Sequence, residues 1–299
     1  MHVPRNLQGP KTEFVVIGGQ QKYLVDLTCH EAVYELKKQL GLYKSFKKEM
    51  LIHFFQIISK FIHKEQIQTK ASLIYLGGNT KFFDMAGKKV QTVFGKDSSV
   101  KQNIAWIKKL KNHIPSPEIL AYNLKAKTMT TRYLDFQLLQ PKMFLKYHEE
   151  LVNINRIIRG RRKRKVSIKN YEKLLIAPHR NLLRTLMKDS GLNEQKINLV
   201  VAHGDFHPGN LPMYNGELYI LDFDSVGWRP PIFDFAYFSF VPSHFNISYA
   251  KTGEKLFRKF LNKVNATPIE LLVSFSMIRV LDKKLHDFLK KRNYFIDAV

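Results

Sequence analysis

The chain has 299 residues, 44% hydrophobic and 25% charged, which gives it the means to bury a core as one large domain or two modest lobes. That apolar content excludes large-scale disorder, and a single cysteine, Cys29, excludes an intrachain disulfide and fits a reducing compartment such as the cytoplasm. Forty-nine Lys and Arg against twenty-five Asp and Glu leave a formal net charge of +24, a field that attracts nucleic acid, anionic membrane or phosphorylated small molecules.

The first eight residues are polar and carry none of the apolar stretch of a secretory leader. Glu13–Ile17 and Lys22–Leu27 flank Gly18-Gly19, which predicts a hairpin. Ala32, Val33, Leu36 and Leu40 predict an amphipathic helix over 30–40. The segment Leu51–Ile62 is too short to span a bilayer. There Phe46, Met50, Phe54, Ile57 and Phe61 share one helical face, the pattern of a helix packed on a core. Lys81–Met85 and Val90–Phe94 bracket Ala86-Gly87-Lys88 as a second hairpin. Ser98 or Ser99 caps a helix with Val100, Ile104, Ile107 and Leu110 inward, stopped by Ile114-Pro115-Ser116-Pro117. Strand-like stretches follow as far as Leu134.

After Pro141 the pattern turns helical, over Phe144–Ile158 and Arg180–Leu186, and again from Tyr249 onward. Asn198–Ala202 is a short apolar run. Leu211–Tyr214 and Leu218–Leu221 form a third hairpin around Asn215-Gly216, a pair suited to a tight type I′ turn. The coarse expectation is an α+β protein with a smaller mixed lobe, residues 1–135, and a larger, mainly helical lobe, residues 136–299.

Charge is unevenly spread. From Pro141 to Ser190 fourteen basic residues face four acidic ones, including the run Arg159–Lys165; the plain expectation for that run is a solvated loop. From His203 to Ala250 the balance reverses, with Asp205, Glu217, Asp222, Asp224 and Asp234 against Arg229 alone. Binding a divalent cation explains an acidic segment in a basic protein, because a hard cation prefers carboxylate and amide oxygens.

The densest motif runs His203-Gly204-Asp205-Phe206-His207-Pro208-Gly209-Asn210 and leads through the hairpin to Leu221-Asp222-Phe223-Asp224. Asp205 and Asn210 share one tight loop, and the following strand returns Asp222 towards it. Phosphoryl transfer needs this set: one carboxylate to orient a hydroxyl and take its proton, an amide and a second carboxylate to hold the metal on the phosphates. The plainer alternatives are turn or cap aspartates and a hydrogen-bonded core histidine at His203. His207 has no His or Cys partner at zinc-site spacing, and Cys29 no base nearby.

The motif resembles that of the aminoglycoside phosphotransferase and choline kinase family, relatives of the protein kinases, and the match is tight over Val200–Ala236. The resemblance implies a two-lobed protein kinase-like fold with the active site in the cleft between lobes, ATP and Mg²⁺ as cofactors, Asp205 as catalytic base and Asn210 and Asp222 as metal ligands. Asp224 assists the metal, while His203 and Asp234 brace the loop. Gly77-Gly78-Asn79-Thr80 resembles the nucleotide-covering turn, so Gly78 and Asn79 are nucleotide-binding candidates.

Two departures stand out. Thr92 falls where the family carries a strand cation, and the helix after Ser98 has no Asp or Glu, with Gln102 or Asn103 at the expected position. Lys88, Lys89 and Lys96 are the near substitutes, Lys88 first among them. Gly204 stands where protein kinases carry Arg, which favours a small acceptor over a protein. The basic excess favours an anionic acceptor, a sugar phosphate, acidic saccharide or lipid-linked glycan, over a polycation. It also leaves Arg159–Lys165 for an anionic membrane face. Nucleic acid is disfavoured as a partner, because no aromatic platform accompanies the charge. The competing function class is a catalytically inactive kinase-like module that binds anionic lipid or nucleic acid.

Overall fold

The computed structural model describes residues 3–4, 7–17, 22–39, 64–96, 98–137, 139, 141–173, 175, 177–188, 196–240, 248–264 and 266–281. The helix expected over the apolar positions of 46–61 and the loop at Gly18-Gly19 lie outside them. The chain divides into two compact units: Met1–Lys109 with Ser116–Gln137, and Leu110–Pro115 with Leu138–Val299. The fold class is mixed α and β with a large antiparallel sheet.

The first unit holds eight strands in the order β3-β1-β2-β4-β5-β6-β8-β7, every neighbouring pair antiparallel. They are β1 Lys11–Ile17, β2 Lys22–Val25, β3 Lys64–Gln68, β4 Leu73–Leu76, β5 Thr80–Asp84, β6 Lys89–Val93, β7 Ile119–Asn123 and β8 Thr128–Arg132. Both faces are covered, so apolar residues run consecutively rather than alternating with polar ones. Val15, Tyr23, Leu73 and Phe83 pack on one face with Val33 and Leu36 of helix α1 (His30–Gln39). Phe14, Leu24, Ile74 and Phe82, each one residue away, pack on the other with Leu7. The two-residue period of a strand does this sorting. Helix α2 (Val100–Leu110) starts at Ser99, whose Oγ accepts the Gln102 N–H at 3.2 Å, and packs Val100 and Ile104 against Phe94 and Met129.

The second unit contains α3 (Pro141–Phe144), α4 (His148–Arg159), α5 (Ile168–Glu172), α6 (Ala177–Lys188), α7 (Phe233–Phe240), α8 (Ser248–Leu261) and α9 (Pro268–Leu281). It also carries strands. A three-stranded sheet that the helical reading passed over runs β13-β10-β9, from Gly227–Arg229, Lys196–Ala202 and Lys163–Ser167, and the hairpin expected around Asn215-Gly216 is present as β11–β12, joining Met213–Tyr214 to Glu217–Leu218. The basic run is therefore not the loop expected. Lys163-Arg164-Lys165 enters an edge strand paired with β10, its side chains exposed, where cations are tolerated because they face water. Phe144–Ile158 is likewise two helices, with a turn at 145–147 where Lys146 and Tyr147 both donate to Met143 O.

Helix α7 reads FDFAYFSF and is buried almost all round, including Phe233, Phe235, Phe238 and Phe240. Phe235 stacks on Phe260 of α8 at 4.2 Å, and Phe240 meets Phe257 at 5.0 Å. Each such phenylalanine contributes about 2 kcal/mol or more through burial. Gly253 of α8 lies where a Cβ would strike Ser239 O, so its missing side chain lets α7 and α8 approach. This packed helix carries Asp234.

Candidate active site

Strand β10 delivers the chain into the loop 203–212, and Asp234 fastens the loop's first two residues. Its Oδ2 accepts the His203 N–H at 2.8 Å and its Oδ1 accepts the Gly204 N–H at 2.9 Å. Asn155 of α4 donates its Nδ2 to the same Oδ2 at 2.9 Å. Burial pushes the Asp234 carboxyl up, while His203 and the two backbone donors pull against it. Gly204 has φ +82°, and a Cβ there would meet Ser225 O.

The returning chain is fixed through Leu221. Its N–H donates to Asn210 O at 2.9 Å, and its carbonyl faces His203 Nε2 at 3.0 Å. A carbonyl only accepts, so the His203 proton sits on Nε2. The ring is wholly buried and lies near Phe206 and Phe223 at 6.1 and 5.4 Å. Both polar atoms of Leu221, the residue before Asp222, are thus held by the loop. Asp222 has φ +58°; the other described non-glycine residues with positive φ, Lys88, Lys127 and Asn215, all sit in hairpin turns. A left-handed backbone outside such turns marks a position the surroundings impose. The Asp224 N–H points at Asp222 Oδ1, 3.4 Å away.

Asp205 is half-buried at the tip of this arrangement. Asn210 Nδ2 donates to its carbonyl at 3.0 Å and to its Oδ2 at 2.8 Å. His207 Nε2 lies 3.5 Å from the same Oδ2, and the Tyr237 hydroxyl hydrogen-bonds the carboxylate from α7. Burial raises the Asp205 carboxyl, but the His207 and Tyr237 donors and nearby His203 outweigh it and bring it down to about 2. Its own burial, and after it the charge and contact of Asp205, push the Tyr237 phenol far up.

His203, Asp205 and Asn210 thus share one loop, Asp234 fastens its start, and Leu221, the residue before Asp222, is tied to it by two hydrogen bonds. Because Asn210 spends its Nδ2 on Asp205, its Oδ1 is the atom available to a cation. Among the described residues no three His, Cys, Asp or Glu side chains converge to hold a metal by themselves. An amide oxygen and one or two carboxylates fit a magnesium ion that takes its remaining ligands from phosphates and water.

In the first unit Gly78 and Asn79 form the turn between β4 and β5. Asn79 Oδ1 accepts the Gly95 N–H at 2.9 Å, and a Cβ on Gly95 would strike Gly78 O, so the turn closes on the end of β6. Lys88 is not brought to that turn. It sits in the β5–β6 hairpin, at the far end of the five-residue strand β5, roughly 15 Å away at the rise of a strand. Its ammonium lies 5.9 Å from the Tyr133 ring centroid. Thr92 pairs directly with Lys81 of β5, so the two side chains share a face near the turn. Helix α2 has no acidic residue in its sequence, whereas α1 carries buried Glu35, hydrogen-bonded by the Tyr133 hydroxyl at 2.9 Å. His207 as a donor, Tyr237, Asn155 and Lys81 escaped the sequence reading; only an i, i+3 offset from Asp234 on a helix could have flagged Tyr237.

Residues 134–258 match the family model described as "Phosphotransferase enzyme family". The matched segment includes the whole loop and its returning chain, so the similarity falls on the residues that build the site. The resemblance read from the His203–Asn210 motif is to that same family of small-molecule kinases. Among solved structures, a choline kinase from Streptococcus pneumoniae is similar over 84% of this chain and 96% of its own, at 16% identity and TM-score 0.47. A choline/ethanolamine kinase family protein from Mesorhizobium loti covers 75% of this chain and 84% of its own, at 17% identity and TM-score 0.42. An aminoglycoside phosphotransferase from Streptomyces rimosus covers 67% and 88%, at 13% identity and TM-score 0.44. No curated protein matches at a significant level. Among the described residues no helix is long and apolar enough to cross a membrane.

Proposed function

We propose that this chain is an ATP- and Mg²⁺-dependent phosphotransferase that phosphorylates a hydroxyl of a non-protein, anionic sugar or glycan-type acceptor, on a two-lobed kinase-like fold divided near residue 135. The observation that supports the reading is the double tie of Leu221, the residue before Asp222, to the loop whose Asn210 holds the Asp205 carboxylate.

In this reading Asp205 accepts a hydrogen bond from the acceptor hydroxyl. It takes that proton as the oxygen bonds to the γ-phosphorus and the bond to the bridging oxygen breaks, leaving ADP. A carboxyl held near 2 is ionised at any physiological pH and so free to accept. Asn210 Oδ1 and Asp222, with Asp224 two residues on, would hold the metal. Bound Mg²⁺ neutralises charge on the phosphate oxygens. His203 and Asp234 keep the loop rigid, so the reacting groups need little rearrangement. In the first unit Gly78 and Asn79 cover the nucleotide, and Lys81, at the register position of Thr92, is a better placed phosphate cation than Lys88.

Acceptor charge follows from β9. It runs antiparallel to β10 with Lys163 opposite Val200, so Arg161, Arg162 and Lys163 lie at the sheet end from which the catalytic loop leaves. All three are exposed. Cations there favour an anionic acceptor and repel a polycation. Screening sugar phosphates, acidic saccharides and aminoglycosides with labelled ATP tests this: the anionic compounds are expected to be phosphorylated, and transfer to aminoglycosides alone would contradict it.

A further inference from the structure

Helix α7 touches the loop at two points one turn apart. Asp234 holds the loop backbone, and Tyr237, three residues on and on the same face, holds the Asp205 carboxylate. The Tyr237 ring is braced by Phe233 at 5.8 Å and lies 6.4 Å from the His207 ring. His207 itself is oriented locally. The Gly209 N–H donates to its Nδ1 at 3.0 Å, so Nδ1 carries the lone pair and the proton sits on Nε2. Nε2 is the nitrogen that faces Asp205 Oδ2 at 3.5 Å. Gly209 also needs its bare Cα, because a Cβ would lie 2.7 Å from His207 Cε1. With Asn210 Nδ2 on Oδ2 as well, three donors from two elements converge on one carboxylate.

We propose that Tyr237 and His207 are positioning residues that fix the Asp205 carboxylate and leave one defined acceptor site for the incoming hydroxyl. The proposal rests on the phosphotransferase reading and adds to it the two side chains that set the base's direction. An aspartate has two rotatable bonds and can turn away from a reacting hydroxyl. Donors on the carboxylate stop that rotation, and a rigid helix and a tautomer-fixed imidazole supply them. Neither residue touches the transferred group, so their loss lowers turnover without changing nucleotide binding.

The test uses the full chain and Mg-ATP with water as acceptor, in wild type, Tyr237→Phe, His207→Ala and His207→Gln. Slow hydrolysis is read for kcat and KM, and Mg-ATP affinity by calorimetry. Tyr237→Phe and His207→Ala are expected to lose about tenfold or more in kcat, with KM and Kd for Mg-ATP within about twofold. His207→Gln, which keeps a donor, is expected to recover part of that loss. Nitrogen chemical shifts of the His207 ring are read separately on wild type, with the Nε2–H form expected whether or not nucleotide is bound. Unchanged kcat in Tyr237→Phe and His207→Ala, with an active wild type, overturns the positioning role and leaves the phosphotransferase reading standing. The opposite tautomer at His207 also overturns it. A wild type that neither binds nor hydrolyses Mg-ATP overturns the phosphotransferase reading, and the positioning role with it.

Discussion

Gly204 shows how closely the loop is built. Its φ of +82° is open to glycine, and Ser225 O fills the space a Cβ would take. Gly204→Ala is therefore expected to destabilise the protein by about 2–4 kcal/mol, read as a lower urea midpoint with unchanged m-value. A midpoint equal to wild type would mean the loop relaxes freely around this residue. Spacing in the sequence brought Asp205, Asn210 and Asp222 to attention because all three lie on one short stretch of chain, joined by a hairpin. Tyr237 was hidden for the opposite reason. Its bond to Asp205 crosses thirty-two positions and depends on how α7 is seated, while its own surroundings, Phe233-Asp234-Phe235-Ala236-Tyr237-Phe238, read as core. In the sequence His207 offers only the pattern of a metal ligand without partners. Its direction depends on the Gly209 N–H, a backbone group no side-chain pattern announces.

At the scale of elements, turn and cap chemistry and the hairpin pairings it sets were legible, and long-range pairing was not. Asn215 and Gly216 adopt φ of +50° and +83°, the pair of positive values that a two-residue type I′ turn demands. Thr267-Pro268-Ile269-Glu270 opens α9 as a capping box: Thr267 Oγ1 accepts the Glu270 N–H at 3.3 Å and Glu270 Oε2 accepts the Thr267 N–H at 3.0 Å. Glu270 is nevertheless buried, because its Oε1 also accepts Asn198 N and Nδ2 of β10, both at 2.9 Å. Strand β9 was missed because lysine-rich stretches score poorly as strands, and an edge position overrides that preference. Cross-strand register also relocates the expected cation, since Lys81 is the partner of Thr92 while Lys88 stands at the other end of β5. Lys81→Ala is expected to weaken Mg-ATP binding roughly tenfold or more, and Lys88→Ala to leave it within about twofold, by calorimetry. The reverse order would return the cation to Lys88.

Over the whole molecule, a charge of +24 coexists with an acidic segment confined to the loop, its hairpin and the start of α7. The basic remainder draws in phosphates, and the acidic segment concentrates the oxygen ligands a cation needs. Both observations agree with a phosphotransferase, and the departures at Thr92 and in α2 are what an inactive, polyanion-binding relative would share. Nucleotide binding separates the two. The measurement is calorimetric titration of the full chain with ATP, with and without magnesium, in wild type and Asp222→Ala. The account predicts binding to wild type that requires magnesium and is lost in Asp222→Ala. Absence of binding to wild type by ATP and GTP alike, or binding indifferent to both magnesium and Asp222, would contradict it and favour the non-catalytic module.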